Sequence, residues 1–350
     1  MGESNNLTKG DLKMADMLGL LKGEQLVEIS NDFNYMRATE NFEGLKVFPL
    51  AKTNNMRLAI ANLMDGSDIP VMAFVHALDS EARIGDRPNY QEVNFELLLI
   101  KEKLNQSEKI RKKMLDYGMS NAEKDILTAI YDDIANLISR VLTRMEVMAC
   151  ELLCTGKITI DENNAKAEID YHLPTEHKIA FTGWSDPTTD VVGDLISIKR
   201  TSKNKIKKAY ISEPIMGYIM ANNAIKAVAA SQQPIQFVTE EWTKAYLKAA
   251  LGIEFIVIDG QYKTSAQTKE TNYFFKQDVI SFVTTEGALG RTFVTSSPEE
   301  DYGIAQNVTG YVAITQWYEN DPAGVWTKAS AIALPCPTDI NSLYIATVGA

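Results

Sequence analysis

Arg87-Pro88-Asn89-Tyr90-Gln91-Glu92-Val93-Asn94-Phe95-Glu96-Leu97-Leu98-Leu99-Ile100-Lys101-Glu102-Lys103-Leu104 is the stretch on which the reading of this chain turns. It reads as a long strand arm patterned for solvent, and it ends shortly before an unusually long helix. A compact domain has little use for such an arm. A subunit that must hold on to its neighbours does. No catalytic motif elsewhere in the sequence competes with that reading.

Upstream of the quoted stretch, Ile69–His76 is a second candidate strand. The polar run Leu78–Arg87 lies between it and the strand Glu92–Ile100. Two strands joined by a polar tip make a long hairpin. A two-stranded hairpin is marginal alone in water, so this one needs a partner surface. Arg83, Arg87, Asn89, Tyr90 and Glu92 are the candidate contacts between subunits. Further upstream, Asp11 can cap a helix reaching about Gly19, and Glu24–Tyr35 forms another helical piece. Gly44, Pro49 and the cluster Lys52-Thr53-Asn54-Asn55 break the pattern. Together these residues read as an extended arm without a large apolar face of its own.

Downstream comes the clearest element. Ser120-Asn121-Ala122-Glu123 is a capping box. One apolar stripe then runs through Ile126, Ile130, Ile134, Leu137, Val141, Met145, Met148 and Leu152. Another runs through Leu127, Tyr131, Ile138, Leu142, Ala149 and Leu153, and Gly156 is a natural stop. Residues 121–155 at about 1.5 Å each predict a helix roughly 50 Å long. The doubled stripe and missing charge seams argue for a spine packed by a sheet rather than a coiled coil.

After the spine, Lys157–Ile160 and Lys166–Tyr171 read as a β-hairpin. Asp190 is a good N-cap for a helix from Val191. The six basic residues within Lys199–Lys208 read as a solvated surface turn. Then α and β alternate. Ala209–Ile211 is strand, Pro214–Ala230 and Thr239–Leu251 are helix, and Glu254–Ile258 is a buried strand. The tail is β again, over Tyr311–Tyr318, Trp326–Leu334 and Tyr344–Val348. The β pieces after the spine and at the C-terminus bracket the α/β segment. They predict one domain built from two sequence segments with another inserted, and a spine packed on a sheet that includes the C-terminal strands.

Composition fits that plan. The chain has 350 residues, 45% hydrophobic and 23% charged, as in a soluble globular protein. No apolar run approaches the roughly 20 residues of a membrane span. Met1–Gly10 lacks the apolar core of a signal peptide, so synthesis in the cytoplasm is expected, with no membrane partner. A net charge of −11 speaks against condensation onto nucleic acid by bulk electrostatics. Cys150, Cys154 and Cys336 read as buried free thiols.

The signatures of chemistry are missing. Gly156-Lys157 is followed by Ile158, which fails the phosphate-loop pattern, and no dinucleotide, nucleophile-elbow or zinc-protease motif occurs. His76 lies in a predicted strand, and His172 and His177 read as surface loop residues. Asp132 and Asp133 diverge by about 100° on the helix and do not share a site. No catalytic residue, cofactor or metal site is expected, and the chain reads as a non-enzyme.

The order of elements resembles the phage major capsid protein family of the lambda type, the capsid protein E family, whose members look like variants of the Hong Kong 97 fold. Arg87-Pro88 with Glu92-Val93, and Ile100-Lys101-Glu102-Lys103-Leu104, resemble the exit from that family's long hairpin, the E-loop. Trp184, Asp190 and Asp194-Leu195 resemble the entry to its inserted A-domain. Asp259-Gly260-Gln261-Tyr262, Phe274-Phe275 and Gly287-Ala288-Leu289-Gly290 resemble the way out. Pro298-Glu299-Glu300, Asp321-Pro322, Leu334-Pro335 and Thr347-Val348 resemble the closing strands. The likeness covers about Lys46 to Val348. The first 45 or so residues depart from it, and no long helical N-terminal extension is seen.

The resemblance implies an α+β Hong Kong 97-like fold. Residues 1–47 would be an N-terminal arm and 48–104 the E-loop. Residues 105–186 would be the first part of the P-domain, with the spine at 121–155. Residues 187–297 would be the A-domain, and 298–350 the second part of the P-domain. The implied function is a major capsid protein forming hexamers and pentamers of an icosahedral shell around the double-stranded DNA of a tailed phage. Its expected partners are itself, portal and scaffolding proteins and a decoration protein, with the DNA enclosed rather than read by sequence. The expected location is the virion, after synthesis in the host cytoplasm. An encapsulin-type compartment and a cytoplasmic α/β enzyme with scattered site residues are the alternatives.

Overall fold

The computed structural model describes residues 39–63, 90–107, 122–162, 165–203, 205–232, 238–305, 307–309, 311–321 and 323–349. The helices expected at Asp11–Gly19 and Glu24–Tyr35 and the strand at Ile69–His76 lie outside them. In chain order the elements begin with α1 (Glu43–Val47), β1 (Leu50–Lys52), β2 (Arg57–Leu63), β3 (Tyr90–Glu96) and β4 (Leu98–Ser107). The spine α2 (Ala122–Thr155), β5 (Lys157–Glu162), β6 (Ala165–Asp170) and β7 (Lys178–Phe181) follow. Next come α3 (Val191–Thr201), β8 (Lys208–Ile211), α4 (Glu213–Ala221), α5 (Asn223–Gln232), α6 (Glu240–Leu251) and β9 (Glu254–Val257). Then come β10 (Gln261–Tyr262), β11 (Asn272–Tyr273), β12 (Val279–Val283), β13 (Gly290–Thr295) and α7 (Pro298–Asp301). The chain closes with β14 (Asn307–Thr309), β15 (Val312–Asn320), β16 (Ala323–Pro337) and β17 (Leu343–Val348).

The spine is one uninterrupted helix, as the stripes require. Its C-terminal two-thirds are buried nearly all round. Ile134, Leu137, Val141, Met145, Met148 and Leu152 of one stripe and Ile138, Leu142, Ala149 and Leu153 of the other are all within 2% of full burial. Two buried stripes need two surfaces, and the fold supplies them as two sheets. Gly156 ends the helix at φ +71°, a conformation that costs glycine nothing. A Cβ there would also meet Leu173 Cβ at 2.9 Å.

The first surface is a six-stranded sheet ordered β1-β13-β16-β15-β14, with β4 paired to β16. The fifteen-residue β16 organises it. One edge of β16 pairs with β4 from Gly324 to Ala333, and the other edge serves β15 and then β13. Side chains alternate along a strand. Ala329, Ala331 and Ala333 therefore fall on the same side as Glu102, which stands opposite Ala329 and pairs with Arg140 of the spine. These buried small residues let the helix lie close on the sheet.

The second surface is a mixed five-stranded sheet ordered β7-β17-β12-β8-β9. Both of its faces are buried. Val279, Val283, Leu343 and Ile345 join the spine's core, while Ile280, Phe282, Ala346 and Val348 join a second core. That second core takes Leu195 and Ile198 of α3, Ile215 and Ile219 of α4, Ile225 of α5 and Leu247 of α6. A continuous apolar run such as Val279-Ile280-Ser281-Phe282-Val283 is what a strand covered on both faces requires. Its one polar residue, Ser281, donates to Leu153 O at 2.6 Å and so ties this sheet to the end of the spine.

Four details correct the sequence reading. The tail strands Val312–Asn320 and Ala323–Pro337 lie in the spine-bearing six-stranded sheet, but Leu343–Val348 pairs with β12 and β7 in the other one. The helix expected over Pro214–Ala230 breaks at Asn222, whose side chain donates to Pro187 O and Thr189 O, accepts from Ala224 N, and holds its backbone extended at ψ 134°. Gly44, read as a breaker, lies inside α1 because a Cβ there would come within 3.0 Å of Ala149, Cys150 and Glu146. His177 is buried rather than on the surface, with Nδ1 2.9 Å from Leu343 O and its ring stacked 3.8 Å from Tyr344. Burial holds its imidazole below the usual value, so it is a neutral packing residue.

Candidate assembly surfaces

The quoted stretch divides into β3 and β4 at Leu97. Leu97 is buried, and its N–H bonds Met56 O at 3.1 Å. Beyond that junction, among the described residues, β2 and β3 pair only with each other, in register from Arg57 opposite Glu96 to Leu63 opposite Tyr90. The hairpin is rooted by Phe95, whose ring lies 4.8 Å from that of Tyr171. Tyr171 in turn donates to Pro335 O at 2.6 Å. Asn94 and Glu96 on the alternate face are exposed.

Of the candidate contact residues, Tyr90 and Glu92 lie on β3, opposite Leu63 and Ala61. Arg83, Arg87 and Asn89 lie outside the described residues.

Other surfaces are equally suited to contact. The outer edge of β4 pairs with no other strand among the described residues. Lys101, Glu102 and Lys103 stand exposed along it, which discourages indiscriminate strand pairing. Tyr302, 82% exposed, and Ile304, 54% exposed, follow α7 and lead to β14 at the rim of the six-stranded sheet. Two large side chains exposed this close together make the rim a candidate contact surface.

Residues quoted for their motifs turn out to be joints between elements. Trp184 donates through Nε1 to Asp194 at 2.8 Å and stacks on Phe181, while Asp190 caps α3 by accepting from Gly193 N at 2.9 Å. Ser297 and Glu300 form a capping box that starts α7, a signal present in the sequence but missed. It aims Glu299 into the six-stranded sheet. There Lys328 Nζ meets one carboxylate oxygen at 2.5 Å and Ser330 Oγ the other at 2.6 Å. The Trp326 ring lies alongside, with Lys103 Nζ 4.2 Å from its centre and Trp317 stacked at 6.2 Å.

Burial alone would raise the Glu299 carboxyl, but the bonds from Lys328 and Ser330 outweigh it and hold the group down to about 2. A depressed folded value means stability that is present above the ordinary value of 4.5 and lost as pH falls through about 2. Glu299→Gln is therefore expected to cost about 2 kcal/mol at neutral pH and to flatten the stability profile across that window. Urea unfolding of unassembled subunits at neutral pH and again inside the window checks both.

Among the described residues no group of His, Cys, Asp and Glu could hold a metal, and no helix is long and apolar enough to cross a membrane. The three thiols are buried and unpaired. Burial pushes Cys154 and Cys336 up to about 12, and Cys150 well above its ordinary value, so none is a thiolate.

Residues 55–348 match the family described as phage major capsid protein E. The chain belongs to that family. Its fold is the α+β Hong Kong 97-like capsid fold, and solved structures share it. A protein assigned as a capsid protein of a prophage in E. coli CFT073 is similar with a TM-score of 0.61 at 17% identity, over 94% of this chain and 99% of that one. A phage-related protein from Bordetella bronchiseptica RB50 is similar with a TM-score of 0.54 at 10% identity, over 93% of this chain and 97% of that one. No curated protein sequence matches significantly.

Proposed function

We propose that this phage capsid protein builds the shell of a tailed-phage head, as hexamers and pentamers in an icosahedral lattice around double-stranded DNA. The match over residues 55–348 to the capsid family carries the proposal. The β2–β3 hairpin supports it, since two strands with no third among the described residues need a second surface, and a neighbouring subunit offers one. The net charge of −11 suits a wall that encloses DNA without gripping it by sequence.

In this reading residues 1–47 are the arm, 48–104 the E-loop, 105–186 and 298–350 the peripheral domain, and 187–297 the axial domain that meets its symmetry mates at capsomer centres. The subunit is made in the host cytoplasm, acts with portal, scaffolding and decoration proteins, ends in the virion and catalyses nothing. Sedimentation across a concentration series tests the core of this. A shell subunit passes from small species to capsomers and particles through many weak contacts. A single small oligomer at every concentration, with scaffolding partners included, overturns it.

A further inference from the structure

We propose that Glu146 is a latch that fixes the root of the N-terminal arm to the spine helix, and so is a positioning residue for assembly; the assembly clause rests on the shell reading above. The arm enters the body through α1, a helix of five residues whose cap position, Phe42, offers no side-chain acceptor. Its orphan N–H groups are satisfied from across the fold. Gly44 N donates to Glu146 Oε1 and Leu45 N to Oε2, both at 2.7 Å and about a hundred residues apart in sequence. Glu146 is fully buried, and no cation lies within ion-pair distance of it among the described residues. The Cys150 thiol donates to Oε1 at 3.3 Å as its other partner.

Space-filling does not explain this residue. A leucine would occupy the same volume without burying charge, and an unpaired buried carboxylate is costly. Only a carboxylate accepts both N–H groups at once. Burial pushes the Glu146 carboxyl above its ordinary range, and the bonds from Gly44 and Leu45 work against that push. Gly44 is cut to fit the same joint, since its Cβ would lie 3.0 Å from Glu146 Oε2. Beyond the latch the root is stitched onward, with Leu289 N on Val47 O at 3.0 Å and Thr292 Oγ1 on Phe48 O at 2.9 Å. The path of the residues just before it, 39–42, is therefore set at Gly44–Leu45.

Glu146→Gln tests the latch, because it keeps the volume but places an NH2 group against one of the two donors. Amide hydrogen exchange on the unassembled subunit should show protection of residues 43–48 falling roughly tenfold or more, with residues 134–153 unchanged. Assembly of the same protein should slow several-fold. Gly44→Ala keeps the carboxylate but crowds it, and should give the same local loss. Unchanged protection of the root in both variants overturns the proposal. So does a loss spread evenly over the spine and sheets, which would make Glu146 a core support. If wild-type protein also fails to assemble, the shell reading falls and the exchange result alone decides the latch.

Discussion

Leu142→Asp is expected to leave no folded subunit. Leu142 is fully buried at the middle of the described part of the spine, inside the core that both sheets share. A carboxylate there would sit among the apolar side chains of that core, and burying it unpaired costs several kcal/mol beyond the lost apolar contacts. Net stabilities of domains are about 5–15 kcal/mol, so the sum approaches the whole. The milder Leu142→Ala should fold and lose about 3 kcal/mol. Soluble yield and circular dichroism read the first variant, and denaturant titration reads the second. A native spectrum for Leu142→Asp would mean that the spine is not the common core.

Arg87→Glu should do the opposite, leaving the fold intact while removing assembly. Arg87 lies three positions before Tyr90, the first residue of β3, whose hairpin with β2 has no third strand among the described residues. If the tip lies across a neighbour, charge reversal sets like charges together at every copy of the contact, at several kcal/mol each. We expect an unchanged unfolding midpoint and particle yield lowered at least tenfold. Light scattering against concentration measures the yield. An unfolded variant would make Arg87 a support of the core instead, and unimpaired assembly would remove the hairpin from the interface.

The two outcomes separate what was legible in the sequence from what was not. The spine was legible because a capping box, two stripes and a stop glycine all point to one helix, and local signals settle local structure. The run Val279-Ile280-Ser281-Phe282-Val283 likewise carries its own burial pattern. The break at Asn222 was invisible, because no proline or glycine lies between Tyr218 and Gln232 to mark it. What breaks the helix is a pair of carbonyls in the loop 187–189, distant in sequence. Leu343–Val348 was read as a strand correctly, but no strand announces which sheet it will join.

Joints between distant segments account for the remaining misreadings. Glu146 carries no signal of its own in the sequence, because the N–H groups that it accepts from, Gly44 and Leu45, lie about a hundred residues away. His177 reads as a loop histidine until Leu343 and Tyr344 close over it. Glu299 was quoted for its motif, but Lys328 and Ser330 arrive about 30 residues later on a strand whose register the sequence does not fix. The hairpin was legible as two strands in need of a partner, but its first strand was placed at Ile69–His76, whereas β3 pairs with Arg57–Leu63, because strand patterning alone does not fix which strand is the partner.

Electron microscopy of the purified protein, concentrated with and without a scaffolding partner, tests the central claim most directly. The account predicts closed isometric particles whose walls resolve into six- and five-fold capsomers, with the spine helix of every subunit visible as one unbroken rod. A uniform field of monomers or dimers under both conditions would contradict it.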